Sequence, residues 1–365
     1  MEMGKYDVAC YHWSNWHPTE YNDIKRGKGW TEWEYTKRAI PRFPGHQQPK
    51  IPMWGYLDDS LMDTVELQIN TAADHGLTAF IFDWGYRGND TVLEQFLQAP
   101  SRSRLKFGLM QCGGGKDYND TLGMFDYIIE QYFKQPNYWK VDGACYYSIY
   151  ELGKQVHAWG GIEKAAEMIQ IFRKKAADAG LKIHLVAVEW GLQELCCKGL
   201  DPQEMIEKLG IDALTSYVWA HNTVPQWPCG DYSEWAESAY EEMKKIEQRY
   251  PIPYHTHVSM GWDPSPRCPE TMRYEKDGPL MYHTLSGEYE IQHKPYFSSI
   301  IKNNTPEEFR RALLAAKRHI DDTDKKNKIV TIYAWNEWTE GGYLEPDSIN
   351  GYGYLEAIKN IFGEN

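Results

Sequence analysis

The chain has 365 residues and a formal net charge of −13, from 39 Lys and Arg against 52 Asp and Glu. This acidic balance disfavours binding to nucleic acid or to an anionic membrane surface. Aromatic residues are frequent (15 Trp, 26 Tyr and 11 Phe), although the mean hydropathy is only −0.65. No apolar run approaches the ~20 residues of a membrane-spanning helix, so membrane insertion is not expected and a folded globular protein is predicted.

Apolar, strand-like runs alternate with helix-period segments along the chain. Strands are predicted at 7–12, 77–84, 105–112, 144–150, 181–190, 211–219, 254–260 and 329–335. Helices are predicted at 61–75, 91–98, 123–134, 161–179, 202–209, 233–249, 305–320 and 353–361. A long segment rich in Trp, Gly and Pro, 13–52, separates the first strand from the first predicted helix.

Short apolar strands that alternate with helices are typical of a parallel sheet. Eight such units in one chain favour an α/β fold of the (β/α)8 barrel type, with enlarged loops, in a single domain that covers residues 1–365. The rival fold, an open doubly wound sheet, carries a glycine-rich turn after its first strand. The sequence CYHWSNWH at 10–17 has no such turn, so the barrel is preferred.

The functional residues of such barrels lie at the C-terminal ends of the strands. Carboxylates, amides, imidazoles and indoles follow those ends here, and this mixture suits a sugar, whose C–H faces stack on aromatic rings. The predicted substrate-binding residues are His12, Trp30, Asp83, Trp84, Glu189, His257, Trp262, Asn336 and Trp338. The tryptophans are predicted as stacking platforms and the others as partners of hydroxyls or carboxylates. Glu189 is also a reserve catalytic candidate.

The strongest local signal is NEWTEGGYLEP at 336–346, where the last strand passes into its loop. Glu337 and Glu340 are three residues apart, so a turn of the chain would point both carboxylates into one cavity. Burial and like-charge proximity would then keep one carboxyl protonated and the other ionised. Gly341 and Gly342 permit a sharp turn. We predict that Glu337 and Glu340 are the catalytic pair.

The segments AWNEWTEGGYLEPD and GYGYLEAI, at 334–347 and 351–358, resemble the C-terminal signature of the WbsX-like proteins, relatives of glycoside hydrolase family 99. The N-terminal segments WHPTEYND, GKGWTEW and PRFPGHQQPKIP agree in order, at 16–23, 27–33 and 41–52. The resemblance spans nearly the whole chain and implies a (β/α)8 barrel acting on an oligo- or polysaccharide.

This resemblance also implies a mechanism, because family 99 enzymes are retaining and endo-acting on α-mannosides. One carboxylate deprotonates the 2-hydroxyl, which attacks C1 to form a 1,2-anhydro sugar, while the other protonates the leaving oxygen and then activates water. By the match to their Glu-Trp-x-Glu-Gly motif, Glu337 would be the base and Glu340 the general acid and base. Thr339 stands where those enzymes commonly have a His. No cofactor and no metal are implied.

Three alternatives stay open at this point. WbsX-like proteins are also described as glycosyltransferases of polysaccharide biosynthesis. A metal-dependent hydrolase would use His255 and His257, which share one strand face, together with Asp83 or Asp263. A non-catalytic sugar-binding barrel would keep the aromatic residues without needing both glutamates. Residues 1–13 contain no apolar signal segment, and the compartment and the oligomeric state are not predicted.

Overall fold

The computed structural model describes residues 6–85, 90–113, 118–192, 201–268, 299–323 and 325–363. Its central sheet contains the eight predicted strands, all parallel, in the order β6-β5-β4-β3-β2-β1-β8-β7. Their bounds are β1 Asp7–His12, β2 Ala79–Trp84, β3 Lys106–Gln111, β4 Ala144–Ile149, β5 Ile183–Val188, β6 Ala213–Thr215, β7 Thr256–Ser259 and β8 Ile329–Tyr333. A parallel bridge between Leu214 and Tyr254 joins β6 to β7. The predicted (β/α)8 barrel is therefore confirmed.

Helices cover the outside of the barrel and part of its loops. They are α1 Glu20–Arg26, α2 Trp33–Arg38, α3 Met62–Asp74, α4 Thr91–Gln98, α5 Tyr118–Ile128, α6 Leu152–Ala158, α7 Ile162–Asp178, α8 Pro202–Leu209, α9 Tyr232–Arg249, α10 Pro306–Asp322 and α11 Gly353–Phe362. A π-helical turn, Ile129–Phe133, extends α5. None of the helices in the described ranges is long and apolar enough to cross a membrane.

Three short strand pairs lie beside the barrel. Lys140–Val141 pairs antiparallel with β4, and Cys229–Asp231 pairs parallel with Ile300–Lys302. Asn336–Glu337 pairs antiparallel with Gly342–Tyr343, directly after β8. This last pair turns the chain back on itself at the C-terminal end of the barrel.

Side chains alternate along each strand between two cores. In β1, Val8 and Cys10 belong to the large cluster between sheet and helices, whereas Ala9 and Tyr11 belong to the cluster inside the barrel. The outer cluster includes helix residues such as Ile69. Parallel strands buried on both faces read as continuous apolar runs, which is why the sequence revealed the strands but not which face each residue takes.

Several predicted features differ from the structure: α6 was not predicted, and the sixth strand, predicted at 211–219, spans only Ala213–Thr215. The segment 13–52 was predicted without helices but contains α1 and α2. The fifth strand was predicted at 181–190 but ends at Val188, where the 3₁₀ turn Glu189–Leu192 begins. This turn packs Gly191 directly on the backbone of 150–152, so close that an added Cβ would lie 2.4 Å from the carbonyl oxygen of Tyr150. A continuing strand would not make that contact.

Gly342 is the position of the loop where a side chain is least tolerable. A Cβ there would lie 2.1 Å from the Tyr333 ring, so Gly342→Ala is expected to destabilise the fold by about 1–3 kcal/mol through overpacking. The matched control is Gly85→Ala, whose Cβ would meet nothing nearer than 3.8 Å. Denaturant unfolding of both variants measures the difference, and equal free energies of unfolding would contradict the expected clash.

Candidate active site

The loop that follows β8 is shaped by its short hairpin. Between Asn336–Glu337 and Gly342–Tyr343 lies the 3₁₀ turn Trp338–Glu340. Gly341 ends that turn with a φ of 68°, in the left-handed region that glycine adopts without steric penalty. The Asn336 amide also bonds both backbone groups of Trp13, at 2.9 and 2.8 Å. The loop is thereby fixed to the end of β1.

Both predicted catalytic glutamates lie beside one guanidinium. Glu337 and Glu340 are buried, with 4% and 8% of their surface exposed. Arg267 donates from Nη1 to Glu340 Oε1, and its Nη2 lies 3.5 Å from Glu337 Oε2. The other Glu340 oxygen accepts from the Tyr333 hydroxyl. Since one planar group contacts both carboxyls, the two side chains lie close together.

Glu32 is a third acid at the same guanidinium. Its Oε2 lies 3.3 Å from Arg267 Nη2 and accepts from the Thr339 hydroxyl at 2.9 Å. One cation therefore faces three carboxyls in a buried site. Burial and the nearby charge of Glu340 raise the pKa of Glu337 well above its ordinary range, and Arg267 opposes that rise without cancelling it.

A tyrosine links Glu337 to a further acid, Asp83. The Tyr217 hydroxyl lies 2.9 Å from Asp83 Oδ2 and 3.0 Å from Glu337 Oε1. A hydroxyl carries one hydrogen, so if it donates to one carboxyl, the other must donate to it and must itself hold a proton. Burial raises the pKa of Asp83 well above its ordinary range, which fits a shared proton in this three-group chain.

Three predicted substrate contacts face the helical layer instead of the barrel mouth. His12 packs between the rings of Phe80 and Phe82, with centroids at 5.1 and 4.8 Å. Trp84 packs edge-on against Tyr132 of the π-helical turn, and Glu189 is fully buried and accepts from Asn222 at 2.8 Å. Each occupies the outer position of the strand alternation, so the structure does not bring these three side chains to the acidic cluster.

The other predicted contacts are largely engaged within the protein. Trp338 is fully buried and stacks on Tyr343 with ring centroids 3.7 Å apart. Asn336 forms hydrogen bonds with the Trp13 backbone. His257 has a hydroxyl beside each ring nitrogen, on Thr331 and Ser259, both at 3.0 Å. The remaining two are tryptophans. Trp262 is buried near Tyr333, and Trp30 lies in the first loop against Arg26 and Tyr35.

Sequence reasoning missed Arg267, Glu32, Tyr217 and Tyr333. The two tyrosines fall on the inner positions of their strand regions, in step with Thr215 and Thr331, so alternation was a usable signal for them. Arg267 follows a loop of irregular sequence and is 73 residues from Glu340, and nothing in its local sequence marks it.

A half-buried aromatic group adjoins the acidic cluster. Trp190 stacks on His221 with centroids 4.5 Å apart, and Tyr150 contacts both of these rings. Tyr150 also packs edge-on against Tyr217 at 5.1 Å. These residues follow β4, β5 and β6, so they place partly exposed rings at the barrel mouth.

The His255 and His257 pair does not present the ligand face that its spacing suggested. His255 bonds His184 across the barrel at 2.8 Å, while both nitrogens of His257 have hydroxyl partners. Asp263, the proposed additional ligand, accepts from His46 and Gln48. Within the described ranges, the groups close enough together to hold a cation are instead His17, Asp58 and Asp59 in the first loop.

Comparison with known proteins identifies the family to which this chain belongs. The family described as "Glycosyltransferase WbsX" matches residues 8–112 and 114–358. The chain belongs to the WbsX family. The "Uncharacterized protein WxcX" of Xanthomonas campestris pv. campestris (strain B100) is 26% identical over 385 residues, which cover 96% of this chain and 49% of WxcX. The same figures hold for WxcX of strain ATCC 33913, so the chain spans about half the length of the curated relatives it matches.

Solved structures share the fold of this WbsX-family chain. The GH99 endo-alpha-mannosidase from Bacteroides thetaiotaomicron superposes with a TM-score of 0.58 at 13% identity, over 98% of this chain and 96% of that one. A structure described as "Glycoside hydrolase-like protein" gives 0.60 at 13% identity, over 99% and 94%. Both support the (β/α)8 barrel of this WbsX protein along nearly its full length.

Beneath the loop 336–343 of this WbsX protein runs a buried chain of hydrogen bonds. His12 Nε2 lies 3.3 Å from Gln68 Oε1, and Gln68 donates to Glu345 at 2.9 Å. The other oxygen of Glu345 accepts from the Trp338 indole at 2.8 Å. His12 thus supports the loop through α3 and does not line the mouth. Burial raises the pKa of Glu345 to about 7.

The raised pKa of Glu345 predicts a pH-dependent stability. A carboxyl that holds its proton more tightly in the folded chain stabilises the fold fully below its unfolded pKa of 4.5, and this contribution is lost as the pH rises through about 7. The rise of the Glu345 pKa from 4.5 to about 7 corresponds to roughly 3 kcal/mol in the free energy of unfolding. Glu345→Gln is neutral at every pH, so its free energy of unfolding should fall less between pH 5 and pH 8 than that of the parent chain.

Urea unfolding at both pH values measures this difference, with the exposed Glu356→Gln as the matched control. If Glu345→Gln loses as much stability between pH 5 and pH 8 as the parent chain, Glu345 is not the group that titrates.

Proposed function

We propose that this chain is a retaining glycoside hydrolase that cleaves a glycan, of α-mannoside type, with two glutamates and without a metal. The observation that carries the proposal is the placement of Glu337 and Glu340 around one guanidinium at the C-terminal end of β8. Like-charged carboxyls in one buried cavity acquire different proton affinities. One group can then act as a base while the other acts as an acid at the same pH.

The proton arrangement around Tyr217 supports Glu337 as the base. A protonated Asp83 would donate to Tyr217, and Tyr217 would donate to an ionised Glu337. A raised proton affinity makes Glu337 a better base, because general-base catalysis is most effective when the pKa lies near the working pH. In this assignment Asp83 tunes Glu337 through the tyrosine and does not touch the sugar.

The steps follow the mechanism that the family 99 resemblance implies. Glu337 takes the proton of the 2-hydroxyl, the oxygen attacks C1, and the bond from C1 to the leaving oxygen breaks as Glu340 gives that oxygen its proton. Glu340 then takes a proton from water, which opens the 1,2-anhydro ring at C1, and Glu337 returns its proton to the 2-oxygen. Two displacements at C1 leave its configuration retained. The half-buried rings of Trp190 and Tyr150 are the sugar platforms we favour.

The description of the WbsX family favours a second function, transfer of a sugar to an acceptor other than water. The same two glutamates would serve this reaction, with an acceptor hydroxyl in place of water at the second step. The two functions differ in the product, so one assay separates them.

Glu337→Gln and Glu340→Gln are each expected to lower turnover by about 10²–10⁴-fold, because each removes one proton-transferring group. The assay incubates a panel of α-mannoside oligosaccharides in ¹⁸O-labelled water. Mass spectrometry then measures the release of products and the incorporation of label at the new reducing end. Proton NMR of the first-formed anomer reports retention. Glu356→Gln is the matched exposed control.

Other outcomes would contradict specific parts of this proposal. Wild-type rates in both variants would remove the site assignment, and products without the label would favour transfer. Activity that is lost with a chelator and restored by a divalent cation would contradict the metal-free mechanism. An inverted anomer would contradict retention.

Asp83 gives a separate test of the proton arrangement. If Asp83 is protonated in the working enzyme, Asp83→Asn keeps a donor toward Tyr217, and its kcat should stay within about tenfold of the parent value. Asp83→Leu has no donor, so the Tyr217 hydroxyl would become a weaker donor to Glu337, the pKa of Glu337 would change, and the acidic limb of the pH–rate profile should move. A loss in Asp83→Asn as large as that in Glu337→Gln would show that Asp83 works as the ionised form.

A further inference from the structure

A cavity borders the catalytic loop, residues 336–343, at Gly341 and Tyr343. It has a volume of about 460 Å³, within the range of small-ligand sites. Gly341 and Tyr343 of the loop form one wall, and Trp262 and Asp263 form another. The Asp263 amide donates to the Glu340 carbonyl at 2.6 Å, so the cavity wall and the catalytic carboxyl are held on the same stretch of backbone.

The one carboxylate in the described wall of this cavity is already fully bonded. Asp263 accepts from His46 Nε2 at 2.8 Å, from Gln48 Nε2 at 2.7 Å and from the Ser265 amide at 3.1 Å. Burial by itself would raise its pKa, but the bond and charge of His46 hold the pKa of Asp263 well below its ordinary range. The carboxylate is therefore ionised and satisfied, and it is not free to bind a sugar hydroxyl or a cation.

Two lysines supply the positive charge of the cavity lining. Lys50 reaches the cavity from the first loop and Lys302 from the strand Ile300–Lys302. In the part of the chain that the structure describes, neither ammonium has a carboxylate within 4.0 Å, whereas Lys37, Lys134 and many other lysines do. The charge of Lys50 acts on Asp263 and that of Lys302 on Asp231, but neither lysine forms an ion pair with these carboxylates.

The remaining lining suits a sugar ring. Amides of Asn304 and Asn350 and the hydroxyl of Tyr354 surround the cavity, beside the rings of Phe43 and Tyr343. A carboxylate on a sugar would gain charge-assisted hydrogen bonds from ammonium donors, and these are stronger than bonds between neutral groups. A neutral sugar would leave both ammonium groups without an anion.

We propose that this cavity is a binding subsite for a carboxylate-bearing sugar, of uronic-acid type, in the glycan that is cleaved at Glu337 and Glu340. The inference rests on the proposed function for the identity of the glycan that occupies the site. Binding of a sugar in the cavity does not itself depend on catalysis. Lys50 and Lys302 recognise the carboxylate, and the shared wall at Gly341 positions the ring relative to the catalytic loop.

Binding is tested first, with sodium D-glucuronate and D-glucose as the probes. Ligand-observed NMR titration of the full chain should show saturable binding of glucuronate, at least about tenfold tighter than that of glucose, and weaker binding at high salt. The double variant with Lys50→Gln and Lys302→Gln should lose this preference. The matched control is Lys359→Gln, an exposed lysine at the other end of the chain, which should keep it. Equal affinity for the two sugars, or a preference that survives in the double variant, would overturn the proposal.

Catalysis is tested second, with oligosaccharides that carry one uronic acid and with their carboxyl-reduced forms. The ratio of kcat/KM for the acidic and the reduced substrate should exceed about ten and should fall to near one in the double variant. If no glycan is cleaved but glucuronate still binds through the lysines, the proposed hydrolase function fails and the subsite stands. If both substrates are cleaved at one rate by the parent chain, the subsite fails and the hydrolase function stands.

Discussion

The arrangement on which the site depends is a single, partly buried cation among several buried acids. Arg267 contacts Glu32, Glu337 and Glu340, which come from the first loop and from the loop after β8, while Arg267 itself follows β7. Removal of one partner from a buried charge cluster leaves uncompensated charge in a medium of low dielectric constant. The guanidinium therefore fixes three loops over the barrel mouth, and the same excess of acid raises the proton affinity of Glu337.

Strand alternation decides which polar residues reach that mouth. Asp83 and Trp84 are neighbours at the end of β2, yet Asp83 meets Tyr217 inside the barrel and Trp84 packs under the π-helical turn. His12 and Glu189 also take the outer position. A strand-end position is therefore not sufficient for a site residue, because neighbouring side chains point to opposite faces of the sheet.

The loop 336–343, which carries Glu337 and Glu340, is supported from two sides. Below it, Glu345 receives the Trp338 indole and connects through Gln68 to α3. Beside it, Asp263 is held by His46 and bonds the backbone of Glu340. Both carboxyls are buried. Burial raises the pKa of Glu345 to about 7, whereas the hydrogen bond and charge of His46 offset burial at Asp263 and keep it ionised. The geometry of the loop thus depends on buried carboxyls outside the cluster around Arg267.

The sequence by itself determined the eight strands, the barrel order that follows from them, the family resemblance and the pair Glu337 and Glu340, because these depend on local periodicity and on a contiguous motif. Only the tertiary structure decided the partners of that pair. Arg267 and Glu32 are separated by 235 residues, and contacts over that distance depend on how long loops fold back on the barrel. The orientation of His12 was decided in the same way, because strands buried on both faces carry no polar pattern that tells inner from outer.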